Sequence, residues 1–184
     1  GTPGAGKTML AKRLPGILPP LDNDAALEVS AIHSLSGTLP AGRPLITRPP
    51  FCSIHHSATV ASMVGGGSGH LRPGAVSRAH RGVLFLDEMP EFSRTALDAL
   101  RELILPLATL VTPNLGEVRL LPGVDVRSRS DMVEAAQALR ALGPRWALVK
   151  GGHLEGDDAV DLLYDGAEFT EFPTARLPTA HTHG

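Results

Sequence analysis

The sequence predicts an α/β architecture in two consecutive parts, and three observations carry that prediction. A glycine-rich loop at residues 1–6 runs into a helical pattern, an apolar run from Gly82 to Leu86 ends in Asp87-Glu88, and strand-like and helical stretches alternate again beyond Thr109. A short apolar run closed by acids reads as a buried parallel strand with its carboxyl end at a site, and strands alternating with helices imply helices layered on sheets.

The elements follow in order. A helix is expected from about Lys7 to Leu14, where Pro15-Gly16 stops it, and Leu18-Pro19-Pro20 is a connector. Asp22 or Asp24 can cap a second helix over Ala25 to Ser34. From Gly37 to Ala79 the density of Pro and Gly predicts loops and short elements. After the strand at 82–88, Ser93 can cap a helix from Thr95 to about Leu103. The second part then reads as a strand at Thr109 to Thr112, a loop through Pro122-Gly123, and a helix Met132 to Leu142 opened by Asp131 with Glu134 three residues on and ended by Gly143-Pro144. A strand Ala147 to Lys150 follows. Two further strands, Ala159 to Tyr164 and Glu168 to Phe172, meet through Asp165-Gly166, a hairpin signal.

Composition bounds the function classes. The chain has 184 residues, 42% of them hydrophobic and 20% charged, with 17 Lys+Arg against 19 Asp+Glu. That balance excludes a disordered polyelectrolyte and a basic nucleic-acid-wrapping tail. The first 102 residues carry a small basic excess and the rest an acidic one. No apolar run reaches the ~18 residues a membrane span needs, so no membrane partner is expected. The single Cys52 rules out an intrachain disulfide framework and fits a reducing, cytoplasmic setting, and no secretory leader is visible at the start.

Gly1-Thr2-Pro3-Gly4-Ala5-Gly6-Lys7-Thr8 satisfies the phosphate-loop (Walker A) pattern G-x-x-x-x-G-K-[ST] at every position. Glycines at Gly1, Gly4 and Gly6, with Ala5 between the last two, let backbone N–H groups converge on phosphate oxygens without a Cβ in the way. Lys7 would reach the β and γ phosphates of ATP, and the Thr8 hydroxyl would be a ligand for Mg²⁺. The acids ending the apolar strand can complete the set as a Walker B pair: Asp87 would hold Mg²⁺ and Glu88 would orient or deprotonate the attacking water. His55-His56 reads as structural or interfacial rather than as metal ligands, because adjacent residues on an extended segment point to opposite sides. Cys52 reads as an ordinary small, buried or half-buried residue.

Several stretches carry a resemblance: Gly1 to Pro20, Ala26 to Ser36, Phe51 to Ser57, Met63 to Gly67, Arg72-Pro73-Gly74 and, most specific, Gly82 to Phe92. Residues 1–102 thereby resemble the magnesium-chelatase-like AAA+ ATPases. The resemblance implies a P-loop NTPase unit of three layers, ATP and Mg²⁺ as cofactors, ring assembly, and an action on metal insertion or on DNA; the DNA role rests on the resemblance alone. Thr2, Cys52 and Ile54 depart from the family wording away from catalytic positions.

Beyond about Ala99 the wording changes. Leu105 to Thr109, Val111-Thr112-Pro113-Asn114-Leu115, Val149-Lys150-Gly151-Gly152-His153, Asp161 to Gly166 and Thr182-His183-Gly184 resemble hydroxymethylpyrimidine/phosphomethylpyrimidine kinase of thiamine biosynthesis, a ribokinase-like enzyme. That resemblance covers residues 103–184 and implies that Asn114 and Glu117 help order Mg²⁺ and the phosphates. Lys150 reads equally as a neighbour of ATP phosphates and as a plain loop lysine.

The expected fold is therefore a partial P-loop NTPase (AAA+) three-layer unit followed by a partial ribokinase-like α/β unit. Each family has parts that are expected to be missing: the strand before the phosphate loop, the sensor, arginine finger and lid of the ATPase, and the amino-terminal half and anion hole of the kinase. Weak ATP hydrolysis, marginal stability and self-association are the expectations that follow. The alternatives are pyrimidine kinase activity and an inactive fused chain.

Overall fold

The computed structural model describes residues 5–66, 72–151 and 158–175. It forms two compact units, Gly1–Phe92 and Ser93–Gly184. The expected boundary at 102/103 lies ten residues further along, inside the helical segment that opens the second unit.

In the first unit, α1 (Ala5–Ala11) is followed by a 3₁₀ turn, Leu14–Gly16, with Pro15 in its first turn, so the helix ends earlier than the sequence predicts. Helix α2 (Asn23–Leu35) starts where Asp22 Oδ1 accepts the Ala25 N–H at 2.8 Å, the capping that a short acidic side chain supplies. Its buried residues Ala25, Ala26 and Val29 are small. Ser30, on the same face, donates to Ala26 O and accepts from Ile46 N, both at 2.7 Å, so its buried hydroxyl is fully used. The short elements predicted between 37 and 79 are β1 (Phe51–Ile54), α3 (Val60–Val64), β2 (Gly65–Gly66), β3 (Arg72–Pro73) and α4 (Ala75–Arg78). Strand β4 (Val83–Leu86) runs parallel to β1 in register, from Phe51 opposite Val83 to Ile54 opposite Leu86. Among the described residues β1 is its one neighbour, and all four β4 residues are half-buried rather than buried as expected, because a two-stranded sheet leaves an edge and part of a face uncovered.

The second unit opens with α5 (Arg94–Ala99), capped by Ser93 Oγ as expected, and continues through a π-helical turn, Leu100–Ile104, and a 3₁₀ turn, Leu105–Leu107. Its sheet has the order β5-β6-β7-β8. Strand β5 (Leu110–Val111) is parallel to β6 (Trp146–Val149), whereas β7 (Asp158–Tyr164) and β8 (Phe169–Ala175) form an antiparallel hairpin beside them. The hairpin signal is realised as an Asx turn: Asp165 Oδ1 accepts from Ala167 N at 2.8 Å and Glu168 N at 2.7 Å, and Gly166 takes a φ of 104°.

Two expectations are corrected here. The stretch read as a loop after Pro113 contains α6 (Leu115–Leu120), nucleated by a capping box between Asn114 and Glu117. Helix α7 (Arg129–Ala141) begins with Ser128 as its cap, and Asp131 is the third helical residue of a second capping box. Met132, Ala135, Ala136 and Leu139 of α7 are fully buried at the spacing one helix face requires.

Candidate functional site

In the first unit the site lies at the carboxyl end of β4. The ladder extends one step past the strand, with Asp87 N–H donating to Ile54 O at 3.2 Å, so the Asp87 backbone is held by β1. Its carboxylate meets α1: Thr8 Oγ1 donates to Asp87 Oδ2 at 3.2 Å, joining positions 79 residues apart in the chain. Thr8 and Asp87 are both half-buried. A hydroxyl and a carboxylate side by side are hard oxygen donors, the donor set that suits a small hard divalent cation. Of the other residues expected here, Gly1 and Gly4 lie outside the described residues, and Ala5, Gly6 and Lys7 form the first turn of α1.

Glu88 follows directly and turns away from the strand. Its backbone is left-handed, with φ 55° and ψ 48°, a conformation that costs a branched or long side chain free energy and that clusters at functional positions. A 3₁₀ turn, Met89–Glu91, follows, and buried Met89 and Phe92 anchor it. The Glu88 carboxylate is exposed and engaged: Oε2 lies 3.0 Å from His56 Nδ1 and 3.8 Å from His55 Nε2.

That contact corrects the expectation that the two histidines point to opposite sides. Strand β1 ends at Ile54, and residues 56–57 form a turn, so the alternation of an extended strand no longer applies. The imidazoles lie with centroids 3.9 Å apart, and both face Glu88. Spacing alone gave no sign of this grouping; the signal available was that two parallel strands end together, one on His-His and one on Asp-Glu.

Glu28 and Cys52 of this unit are also shifted from their ordinary range. Exposed Glu28 accepts from Arg81 Nε at 2.8 Å and lies 3.1 Å from His80, and these bonds hold its carboxyl below the ordinary range. Burial pushes the half-buried Cys52 thiol up, which makes it a poor nucleophile at neutral pH.

In the second unit Asn114, Glu117 and Lys150 gather at the carboxyl ends of the parallel pair. Lys150 N–H donates to Pro113 O at 3.0 Å, and Asn114 and Lys150 are bridge partners one step past β5 and β6. Asn114 Oδ1 accepts Glu117 N–H, and Glu117 Oε2 accepts Asn114 N–H, both at 2.9 Å, so the pair caps α6 while standing at the strand end. Asp161, not expected from the sequence, accepts Gly151 N–H at 3.0 Å and so holds the backbone directly after Lys150. The crevice outside the carboxyl ends of parallel strands is where α/β proteins place ligands.

The fold and these two strand-end sites define an α/β protein of mixed parallel and antiparallel sheets. The chain belongs to two families at once: residues 1–111 match the magnesium chelatase subunit ChlI family, and residues 84–184 match the phosphomethylpyrimidine kinase family. It is 67% identical over 101 residues to the uncharacterized protein Rv2897c of Mycobacterium tuberculosis, a match covering 55% of this chain and 20% of that one. It is 52% identical over 96 residues to hydroxymethylpyrimidine/phosphomethylpyrimidine kinase of the same organism, covering 52% of this chain and 35% of that one. Among solved structures it resembles the pyridoxal kinase from Staphylococcus aureus in complex with ADP, with a TM-score of 0.50 and 31% identity over 60% of this chain and 42% of that one. The chain thus spans a fifth to a third of the length of these curated relatives. No helix among the described residues is long and apolar enough to cross a membrane.

Proposed function

We propose that the chain binds ATP with Mg²⁺ at its amino-terminal strand-end site and hydrolyses it slowly. The observation that carries this reading is the Thr8–Asp87 hydrogen bond, which joins a residue of the phosphate-loop pattern to the acid 79 residues further on. Gly1, Gly4, Ala5 and Gly6 would offer backbone N–H groups to the phosphates, Lys7 its ammonium, and Thr8 and Asp87 their oxygens to Mg²⁺. A bound Mg²⁺ would supply charge neutralisation at the phosphates. Glu88, exposed beside Asp87, would orient the attacking water.

Slow turnover follows from residue content. The positions beyond residue 102, where an ATPase of this kind places its sensor and arginine finger, carry kinase-like sequence, and an arginine finger supplies about 10³-fold or more in rate. On this reading 1–102 is the ATPase-derived domain and 103–184 the kinase-derived one. Self-association into a ring and a cytoplasmic setting belong to the same proposal.

The test is a nucleotide titration with Mg²⁺ present. Lys7→Ala should weaken ATP binding by roughly ten- to a hundredfold, the equivalent of one charge-assisted hydrogen bond. Equal affinity in the two proteins overturns the reading.

A second reading rests on the grouping of Asn114, Glu117 and Lys150 at one strand end. There the chain would act as a pyrimidine kinase of thiamine biosynthesis. Product analysis separates the two: free phosphate from ATP alone supports hydrolysis, and phosphate carried on hydroxymethylpyrimidine supports transfer.

A further inference from the structure

His55, His56 and Glu88 are neighbours although 32 residues separate His56 from Glu88 in the chain. One donor atom from each lies within 4.8 Å of the other two. Two imidazole nitrogens and a carboxylate oxygen are the borderline donor set of zinc-type ions, with room left for water or an exogenous ligand. Tetrahedral bonds of about 2.0–2.2 Å place donor atoms roughly 3.3 Å apart. The observed separations from Glu88 Oε2, 3.0 Å to His56 Nδ1 and 3.8 Å to His55 Nε2, bracket that value.

A further contact prepares one of these donors. His55 Nδ1 lies 3.0 Å from Ser57 Oγ. Ser57 also donates its N–H to the same Nδ1 at 3.4 Å, so the 56–57 turn fixes the His55 ring, with Nε2 on the side of Glu88. Glu88 is presented from the other side by its left-handed backbone, which the buried Met89 and Phe92 hold in place.

We infer that His55, His56 and Glu88 form a binding site for a divalent transition ion of the zinc class, separate from the hard oxygen pair of Thr8 and Asp87. The ion takes the position between Glu88 Oε2 and His56 Nδ1, and any proton shared there leaves to solvent. Binding stands apart from the nucleotide reading. Its consequence rests on that reading: a metal-held Glu88 is withdrawn from water, so zinc-class ions suppress hydrolysis while leaving ATP binding intact.

The test uses the full chain with Mg²⁺ and no nucleotide. Co²⁺ is titrated while its visible ligand-field absorption is followed, and Zn²⁺ is then added to displace it. One Co²⁺ with nitrogen and oxygen ligands is expected. His55→Ala, His56→Ala and Glu88→Gln should each weaken it by at least about tenfold, as loss of a ligand does more than loss of an outer-shell partner. His80→Ala, at a histidine paired with Glu28 elsewhere, should leave it unchanged. Unchanged affinity in His56→Ala, or a thiolate charge-transfer band implicating Cys52, overturns the inference. Amide-exchange protection of β1 and β4 checks folding, and if His56→Ala fails to fold, His55→Ala, whose side chain is 61% exposed, decides alone. ATP binding measured separately distinguishes failure of this site from failure of the nucleotide site.

Discussion

The position of Asp87 depends on how β4 is seated, and Gly82 sets that seat. A Cβ on Gly82 would lie 2.2 Å from the Pro50 carbonyl oxygen and 2.7 and 2.8 Å from Pro50 ring carbons. The same carbonyl accepts the Val83 N–H at 2.8 Å, the bond that starts the β1–β4 ladder. Gly82→Ala must therefore push the two chains apart by about 1 Å and lengthen that bond beyond useful range. Overpacking costs about 1–3 kcal/mol and a lost hydrogen bond about 1 kcal/mol, so a loss of roughly 2–4 kcal/mol is expected. The one tryptophan, Trp146, lies in the other unit, so fluorescence is the wrong probe for this change. Amide hydrogen exchange across Phe51–Ile54 and Val83–Leu86 is the assay, and protection should fall by about one and a half to three powers of ten. Wild-type protection in β4 of Gly82→Ala refutes the claim that this contact seats the strand.

In the second unit, Ser128→Ala should destabilise α7 by about 1 kcal/mol, because Ser128 Oγ is the acceptor for Asp131 N–H at the helix start; urea unfolding followed by Trp146 fluorescence measures it. The Asp131 carboxyl is held below its ordinary range by the N–H of Arg127 and then by Ser128, so it contributes stability above the ordinary carboxylate pKa that disappears as pH falls through the lowered value. Asp131→Asn should accordingly flatten the loss of stability on acidification through that window, and an unaltered acid profile would count against the capping box. Gly151→Ala would set a Cβ 2.1 Å from Val160 O and 2.9 Å from Met132 Cε, and a loss of more than about 1 kcal/mol is expected by the same fluorescence measurement. Deleting Leu103, 48% exposed in the π turn, should leave the unit's stability within about 1 kcal/mol of wild type, and a loss of several kcal/mol would show that the turn is required.

The strand that ends at Asp87 was legible because an apolar run closed by an acid is a local pattern. The partnership of Glu88 with the histidines was not legible. It depends on where β1 stops: one more extended residue would send His55 and His56 to opposite faces, whereas the turn at 56–57 sends both to Glu88. A strand's last residue is set by its neighbour's length and by turn geometry, neither of which the periodicity of four residues contains. The half-burial of β4 was hidden for a related reason, since an apolar run reports a residue's preference for cover and not how many strands provide it.

In the second unit the missed elements share one cause, which is that capping side chains outrank hydrophobic spacing at helix ends. Asn114 and Ser128 each begin a helix that periodicity placed later or not at all, because a short polar side chain satisfies the orphan N–H groups before any apolar residue is buried. The π turn shows the converse. Leu100, Ile104 and Leu105 are buried, at spacings of four and five, where an α-helix would put residues three and four apart on one face. The Leu105 N–H bonds to Leu100 O, five residues back, and this wider turn goes with the burial of all three side chains. This turn falls within 84–111, the stretch that both family models match, and adjacent to the residues where the two resemblances exchange. One extra residue in the turn, with Leu103 displaced to the surface, is sufficient to reconcile the register of Ala96 and Leu97 with that of Ile104 and Leu105.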